Sequence, residues 1–397
     1  AASDVYKRQV LISIMAYNMY IGGGKMKLLH VKANNFKNCK EGYEIDFVAK
    51  SKKTAEDKEY ELQEVADGLY VYNTLAFIGK NASGKTTAVE LLDACYSILG
   101  EFRLEGRNYS YDNVELIMDF YYNGYIYRYE TILTNSDTIG SKAFFTNQKI
   151  YKKKYYKTKL KSIYADKDFE EVNVMGELPE DTSKVFFILK KRKTRAIYFD
   201  SYGKGIDTYK LVFAALKDYN ISSDVLGTVI SIFDENITDV QQTDEHNYRV
   251  KLCGKEENIS DKELLYRLSS GTTKGMLLYI LMVASLRNGF DLIIDEIENH
   301  FHKTLVENML SLYKDKRVNK SNATLIFTTH YCELLDVFNR QDNIYISKSS
   351  DKVYLTSMYE GYNIRPELLK SRQFYNNVFD TAVNYDELMN LKRELRG

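Results

Sequence analysis

This sequence has few cysteines and no excess of charge of either sign. The four cysteines, at 39, 95, 253 and 332, are scattered and form no C-x-x-C pair. This argues against a disulfide framework or a cysteine zinc site and indicates reduced thiols in the cytoplasm. Basic and acidic residues balance at 55 each. No global field therefore favours nucleic acid or a membrane, and such a contact would need a local patch.

Long apolar runs, proline and tryptophan are also lacking. No apolar segment reaches the length of a membrane span, so we expect no membrane partner. The chain has two prolines and no tryptophan against 34 tyrosines, a bias to which we attach no functional meaning. Hydrophobic residues make up 44% of the 397 positions. This supports two or three domains, or one large α/β domain with insertions.

A phosphate-binding loop is the strongest motif. Residues 79–86 match G-x-x-x-x-G-K-[ST]. The apolar run 75–78 before it predicts a buried strand, and the amphipathic stretch after it predicts a helix that ends at Gly100. Loop N–H groups and a helix N-terminus together form an anion site. The residues expected to bind the phosphates are Gly79, Lys80, Asn81, Ala82, Ser83, Gly84, Lys85, Thr86 and Thr87. Of these, Lys85 would reach the β- and γ-phosphates and Thr86 would ligate Mg²⁺.

The rest of the first half predicts strands beside this loop. Residues 1–25 are expected to be a non-native or disordered leader, with a natural start at Met26. Strands are predicted at 28–31, 43–48 and 70–78. Asn123-Gly124 between 114–122 and 125–133 is a strong type I′ hairpin signal. These strands predict an antiparallel flank.

A basic and aromatic stretch covers residues 140–205. Lysine and tyrosine interleave over 151–157, and 190–193 is wholly basic. Residues 150–195 are therefore a candidate contact for nucleic acid, through base stacking and phosphate pairing. The favoured alternative is an edge strand whose lysines point outward against aggregation and whose tyrosines are half-buried. Residues 207–236 then predict helices.

Three further motifs follow in order. Ser269 and Gly271 precede an apolar helix and indicate either a second anion site or a plain helix cap. The apolar strand 290–294 ends in Asp295, expected to hold Mg²⁺, and Glu296, expected to orient or deprotonate an attacking water. Glu298 competes for the latter role.

Histidines close this series. His300 and His302 are expected in the loop and helix start after that strand, with a zinc or iron site as the less favoured alternative. The strand 324–329 is followed by His330, which is placed to touch the γ-phosphate.

The order of these motifs resembles the ABC-type ATPase head, from Met26 to about residue 350. The resemblance implies ATP and Mg²⁺ as cofactors. It also implies a head-to-tail pair of heads, in which Ser269 and Gly271 act in trans on the partner's nucleotide. The residues acting in cis would be Lys85, Thr86, Asp295, Glu296 and His330.

A finer resemblance is to the soluble branch that includes SMC, RecF, OLD-type and abortive-infection ATPases. Residues 295–302 are similar to the Asp-Glu-Ile-Glu-x-x-Leu-His of small bacterial phage-defence ATPases, and 28–38 resemble their first strand. Two features depart from the family. Thr272 stands where transporter heads carry Gln or Glu, and Gln148 is only a candidate for the Q-loop glutamine. Sustained heptads are missing, and the segment after His330 is too short for a fused Toprim-type nuclease.

The predicted fold is an α/β P-loop NTPase, an ABC-ATPase head with a mixed sheet, an antiparallel β flank and an inserted α+β subdomain. We expect a leader at 1–25, an N-terminal lobe at 26–150, an insertion at 151–265 and a C-terminal lobe at 266–397. The last of these should contain a closing hairpin at 344–355 and terminal helices at 366–372 and 385–395.

Three functions fit this sequence. The first is a slow ATP hydrolase that dimerises around ATP and controls a separate effector protein, such as a nuclease, in abortive infection. The second is a RecF-like DNA-binding ATPase of DNA repair. The third is an ATP-binding scaffold with little turnover.

Overall fold

The computed structural model describes residues 26–105, 111–135, 142–191, 194–199, 208–244, 246–299, 301–381 and 385–395. The predicted leader at 1–25 lies outside these residues, as do His300 and two residues of the basic run 190–193.

Runs of strands are separated by helices in these residues. The strands are Met26–Asn34 (β1), Tyr43–Asp46 (β2), Leu62–Ala66 (β3), Leu69–Tyr72 (β4), Thr74–Ile78 (β5), Val114–Tyr122 (β6), Tyr125–Asn135 (β7), Ala143–Lys154 (β8), Glu170–Glu171 (β9), Ala196–Phe199 (β10), Ile237–Gln242 (β11), Asn247–Leu252 (β12), Lys255–Ser260 (β13), Asp291–Ile294 (β14), Leu325–Thr329 (β15), Ile344–Ser349 (β16) and Val353–Ser357 (β17). The helices are Lys85–Glu101 (α1), Val185–Leu189 (α2), Thr208–Asp218 (α3), Ser223–Phe233 (α4), Asp261–Tyr266 (α5), Ser270–Asn288 (α6), Lys303–Lys314 (α7), Met358–Gly361 (α8), Lys370–Tyr375 (α9) and Tyr385–Glu394 (α10).

A mostly parallel sheet, the main sheet, lies at the centre in the order β10-β14-β15-β5-β16-β17. The first five strands are parallel, and β17 returns antiparallel as the predicted closing hairpin. Its inner strands are continuous apolar runs because both faces are covered. In β5, Leu75 and Phe77 belong to one apolar core, and Ala76 and Ile78 belong to the other.

A six-stranded antiparallel sheet covers one side. Its order is β2-β1-β6-β7-β8-β9, and together with α1 it encloses the first core. The predicted hairpin joins β6 to β7, with Asn123 and Gly124 at φ of 49° and 85° as a type I′ turn requires. The mixed α/β architecture and the antiparallel flank are therefore confirmed.

The second core lies on the other face of the main sheet. It contains apolar residues of α3, α4, α6 and α7, together with the three-stranded sheet β11-β12-β13. The helices predicted at 207–236 are thus present as α3 and α4.

The expected insertion at 151–265 contributes to several parts of this arrangement. β8 runs through residue 150 within the antiparallel sheet, and β10 pairs with β14 in the main sheet. Only β11 to β13 form a sheet of their own. The boundaries at 150 and 265 stay a prediction.

Three local predictions are wrong. Helix α1 runs through Gly100 and ends at Glu101, where Phe102 takes the left-handed conformation at φ 60°. Gly100 instead gives room to the Thr194 carbonyl, whose oxygen would lie 2.8 Å from an added Cβ. The strand predicted at 70–78 is interrupted between β4 and β5, and the helix predicted at 366–372 starts only at Lys370.

Membrane-spanning helices are absent from the part of the chain that the structure describes. None of its helices combines the length and the apolar character that a bilayer crossing requires.

Candidate phosphate and magnesium site

The phosphate-binding loop connects β5 to α1 at the carboxyl end of the main sheet. Two glycines bring it against neighbouring strands. A Cβ on Gly79 would lie 2.4 Å from the Ser347 carbonyl oxygen, and one on Gly84 would lie 2.2 Å from Val353 Cγ1. Gly84 also has a φ of 93° and caps α1. The loop conformation therefore requires glycine at both positions.

The Lys85 amine lies at the centre of this loop. Its Nζ donates to the carbonyl oxygens of Gly79 and Lys80, each at 3.1 Å, and lies 3.4 Å from His330 Nδ1. Burial lowers the Lys85 pKa, although the nearby carboxylates, Glu298 first, oppose that effect. The buried ammonium thus lies beside both the loop backbone and the histidine.

Thr86 and Asp295 meet where the loop faces β14. Thr86 Oγ1 donates to Asp295 Oδ2 at 2.9 Å, and Thr328 Oγ1 donates to Asp295 Oδ1 at 2.6 Å. Asp295 is fully buried. A hydroxyl beside a carboxylate supplies the hard oxygen ligands that Mg²⁺ prefers. Among the described residues no group of three His, Cys, Asp or Glu could hold a metal.

Glu296 follows Asp295 in a strained backbone conformation. Its φ is 48°, which is uncommon for a residue with a side chain. The Glu296 N–H donates to Thr328 Oγ1 at 2.7 Å, and one carboxylate oxygen accepts from Asn299 Nδ2 at 2.6 Å. The other oxygen lies 3.9 Å from His330 Nε2. These contacts hold the carboxylate at the sheet edge, where a water-activating group would be needed.

His330 comes directly after β15 and lies between Lys85 and Glu296. Burial and the Lys85 charge lower its pKa, with Glu298 and Glu296 acting in the opposite direction. Both effects favour the neutral imidazole over the charged one. Two buried polar atoms nearby, Ser83 Oγ and Glu298 Oε2, have no hydrogen-bond partner. Unpaired buried atoms of this kind fit a site that a polar ligand completes.

Ser269 and Gly271 lie at the N-terminus of α6. The Ser269 hydroxyl accepts from the Thr272 N–H at 3.0 Å and its carbonyl accepts from the Thr273 N–H at 2.9 Å, so these bonds stay within the helix. Ser269 is exposed, and among the described residues a Cβ on Gly271 would have only Ser269 Oγ within 4 Å, at 3.8 Å. This helix end is capped as one alternative predicts, and it leaves open space beside Gly271.

Other candidates have structural partners. His302 caps α7, with Nδ1 3.5 Å from the Thr304 N–H. The Gln148 amide oxygen accepts from Tyr129 and from the Lys184 N–H, each at 2.7 Å. Gln148 thus ties β7 and β8 to the segment before α2, and its role as a Q-loop residue stays a prediction.

The lysine and tyrosine run of β8 lies next to the sheet edge, because the outermost strand β9 covers only Tyr151 and Lys152. β8 pairs with β7 on one side and with the short β9 on the other. Lys153 Nζ donates to the Ala165 carbonyl at 2.8 Å and lies 4.0 Å from the centre of the Phe169 ring. Lys154 is exposed and lies over Tyr156. The stretch therefore combines structural and free lysines.

The sequence did not indicate two sets of contacts that support the site: those of Thr328, and those of the phosphate-binding loop with β16 and β17. Thr328, which bridges Asp295 and the Glu296 main chain, is part of the same Thr-Thr-His run as His330. Thr328 stands two residues before His330, within the strand predicted next to β14. This position was the signal from which its contact with Asp295 could have been inferred. The contact of the loop with Ser347 and Val353 had no such signal, because β16 and β17 are distant in sequence.

Comparison with known proteins gives neighbours at the level of structure. An SMC head domain from Thermotoga maritima is 12% identical, with a TM-score of 0.35, over 83% of this chain and 98% of its own. An SMC head bound to the C-winged helix domain of ScpA is 12% identical, with a TM-score of 0.40, over the same shares. No family model and no curated protein matches the chain.

Proposed function

We propose that the chain is a Mg²⁺-dependent ATPase that works as a switch and pairs head to tail around ATP. The observation that carries the proposal is the Thr86–Asp295 contact of 2.9 Å, which joins the phosphate-binding loop to the acidic end of β14. Phosphate-binding loops next to such a carboxylate bind nucleotide phosphates with Mg²⁺. The neutral balance of the whole chain is compatible with this local site.

The roles of the side chains follow from their positions. Bound Mg²⁺–ATP would supply the phosphoanhydride and the metal charge. Lys85 and the loop N–H groups would hold the β- and γ-phosphates, while Thr86 and Asp295 would hold the metal. Glu296 orients the attacking water and accepts its proton, and His330 contacts the γ-phosphate. Water adds to the γ-phosphorus as its bond to the ADP oxygen breaks, which gives ADP and phosphate.

The pairing of two heads is supported by α6. Its N-terminus presents an exposed Ser269 and, among the described residues, open space at Gly271, and the N-terminus of a helix favours an anion. In the pair, this end of one copy would cap the γ-phosphate held by the other. Glu296→Gln, which keeps the shape but slows hydrolysis, should accumulate the ATP-bound dimer.

The finer proposal is control of a separate effector protein in abortive infection. It is supported by the similarity of residues 295–302 to phage-defence ATPases. A RecF-like DNA-binding role is the alternative, and the exposed Lys154 next to Tyr156 favours it.

The first experiment measures ATP turnover of the full chain with and without double-stranded DNA, with Glu296→Gln as the background. DNA stimulation of several-fold would favour the repair role. Slow turnover at a rate that DNA does not change would favour the effector switch. No turnover above the Glu296→Gln background would contradict hydrolysis and would favour the third hypothesis, an ATP-binding scaffold. An ATP-bound Glu296→Gln chain that stays monomeric in light scattering would contradict the pair.

A further inference from the structure

Glu298 lies where the ends of β14 and β15 meet. It is in the short turn Ile297–Asn299 that follows β14, and its Oε1 accepts the His330 backbone N–H at 2.5 Å. β14 and β15 are neighbouring parallel strands, paired at Ile294 and Phe327. The Glu298 side chain therefore fastens the segment after one strand to the segment after the next.

The second oxygen of this carboxylate is unusual. Glu298 Oε2 is buried and has no hydrogen-bond partner. A buried carboxylate oxygen without a donor costs free energy, and native structures retain few of them. The residue whose main chain this carboxylate holds, His330, lies with its Nδ1 3.4 Å from Lys85 Nζ in the phosphate-binding loop. The unpaired oxygen is thus part of the phosphate site.

Glu296 contacts a different part of His330 from the part that Glu298 contacts. One of its oxygens is held by Asn299 and the other is 3.9 Å from His330 Nε2. Glu296 therefore faces the histidine ring, whereas Glu298 holds the histidine main chain. The two carboxylates differ in their partners although they are two residues apart.

We propose that Glu298 is a positioning residue of the nucleotide site. One oxygen fixes the main chain at His330, and the other accepts a hydrogen bond from a water molecule held by bound Mg²⁺–nucleotide. This inference rests on the proposed function. As a consequence, nucleotide binding changes the position of the main chain at His330 and in the turn Cys332–Val337 that follows it. That turn is bonded to α9, where the Ser371 N–H donates to Asp336 at 3.0 Å.

The experiment uses the absence of tryptophan from the chain. Tyr331→Trp places one fluorophore next to His330, at a site where the native side chain is 39% exposed. Emission is recorded in the full chain while Mg²⁺–ATP is added, and ATP affinity is measured separately by equilibrium dialysis. We expect Mg²⁺–ATP to shift the emission. Adding Glu298→Gln should reduce that shift by at least about half while ATP affinity changes less than about threefold.

Glu307→Gln is the matched control. Glu307 is a partly exposed acid on α7, 3.7 Å from Lys303, so this variant makes the same charge change outside the site. It should leave both the shift and the turnover as they are. For turnover, Glu298→Gln should lower kcat by about tenfold in the native chain and by less than about twofold in a His330→Ala background, since it acts through His330.

The outcomes separate the two proposals. If the native chain does not bind ATP, the proposed function itself fails. If it binds and hydrolyses ATP but Glu298→Gln changes neither emission nor kcat, Glu298 is not a positioning residue. Equal losses of kcat in both backgrounds would show that Glu298 acts independently of His330, and this would also overturn the inference.

Discussion

Thr328 Oγ1 lies 2.6 Å from Asp295 Oδ1 and 2.7 Å from the Glu296 nitrogen, so one hydroxyl serves both acidic residues. It donates to the carboxylate and accepts from the main chain. Thr328 is itself fully buried in β15. This hydroxyl on β15 thereby fixes the backbone at the end of the neighbouring strand β14, including the left-handed conformation of Glu296.

Thr328→Val tests this relationship. Valine keeps the shape but removes the two hydrogen bonds that the hydroxyl makes with Asp295 and with the Glu296 main chain, which should cost about 1–3 kcal/mol of unfolding free energy. ATP turnover should also fall, because Glu296 loses its support. Urea unfolding followed by circular dichroism measures the first effect. Thr328→Ser is the control that retains the hydroxyl, and a valine variant as stable as the serine variant would refute the argument.

Gly84→Ala should disable the phosphate-binding loop. The added Cβ would lie 2.2 Å from Val353 Cγ1, at a φ of 93°, so strain and steric clash add together. Nucleotide binding, measured by equilibrium dialysis, should be lost or reduced by at least about tenfold, and Val353→Ala should restore part of it.

The control for this change is Gly124→Ala. Gly124 has a similar φ of 85°, but no atom of the described part of the chain lies within 4 Å of its added Cβ. It should cost only the backbone strain, about 1–2 kcal/mol, without loss of nucleotide binding. Equal binding defects in the two variants would mean that the contact with Val353 is unimportant.

The sequence allowed good prediction of elements with local signals. The Asn123-Gly124 turn has the chemistry of one turn type, and β5, β14 and β15 are apolar runs bounded by polar residues. The approach of Thr86 to Asp295 follows because the loop after β5 and the residue after β14 both lie at the carboxyl end of the parallel sheet. The functional roles of these residues stay predictions.

Elements with non-local causes were beyond prediction. Gly100 looked like a helix end, but its conformation is helical and its lack of a side chain makes room for the Thr194 carbonyl. The lysines of β8 looked alike in sequence, yet the packing of Phe169 and Ala165 separates Lys153 from Lys154. Such contacts depend on segments that meet only in the folded chain.

Lys153→Ala should destabilise the fold, whereas Lys154→Ala should not. Lys153 loses a hydrogen bond to Ala165 and a close aromatic contact with Phe169, together worth about 1–2 kcal/mol. Lys154 is exposed. Thermal unfolding compares the two variants, and equal stability would contradict a structural role for Lys153. A DNA-binding test should therefore change Lys152 and Lys154 and leave Lys153 in place.

His30 should make stability depend on pH. Its ring is 3.1 Å from Asp119 and 3.4 Å from Glu44 and stacks on Tyr164. Burial disfavours the charged ring, but the two carboxylate hydrogen bonds outweigh it and raise the pKa to about 9. Because the folded pKa exceeds the unfolded one, the stabilisation is complete below about pH 6.5 and is lost as pH rises through 9.

His30→Gln separates this effect from other titrations. Its amide retains one donor for Asp119 but carries no charge. The unfolding free energy of this variant should therefore lack the pH-dependent part that the native chain loses between pH 6.5 and 9, on the order of 3 kcal/mol. Urea unfolding at pH 6 and pH 9 measures that difference for both chains. Parallel pH dependence in the two would place the His30 pKa near its ordinary value and contradict charge pairing with Asp119. A steeper fall for the native chain supports it, because only the charged ring gains from these carboxylates.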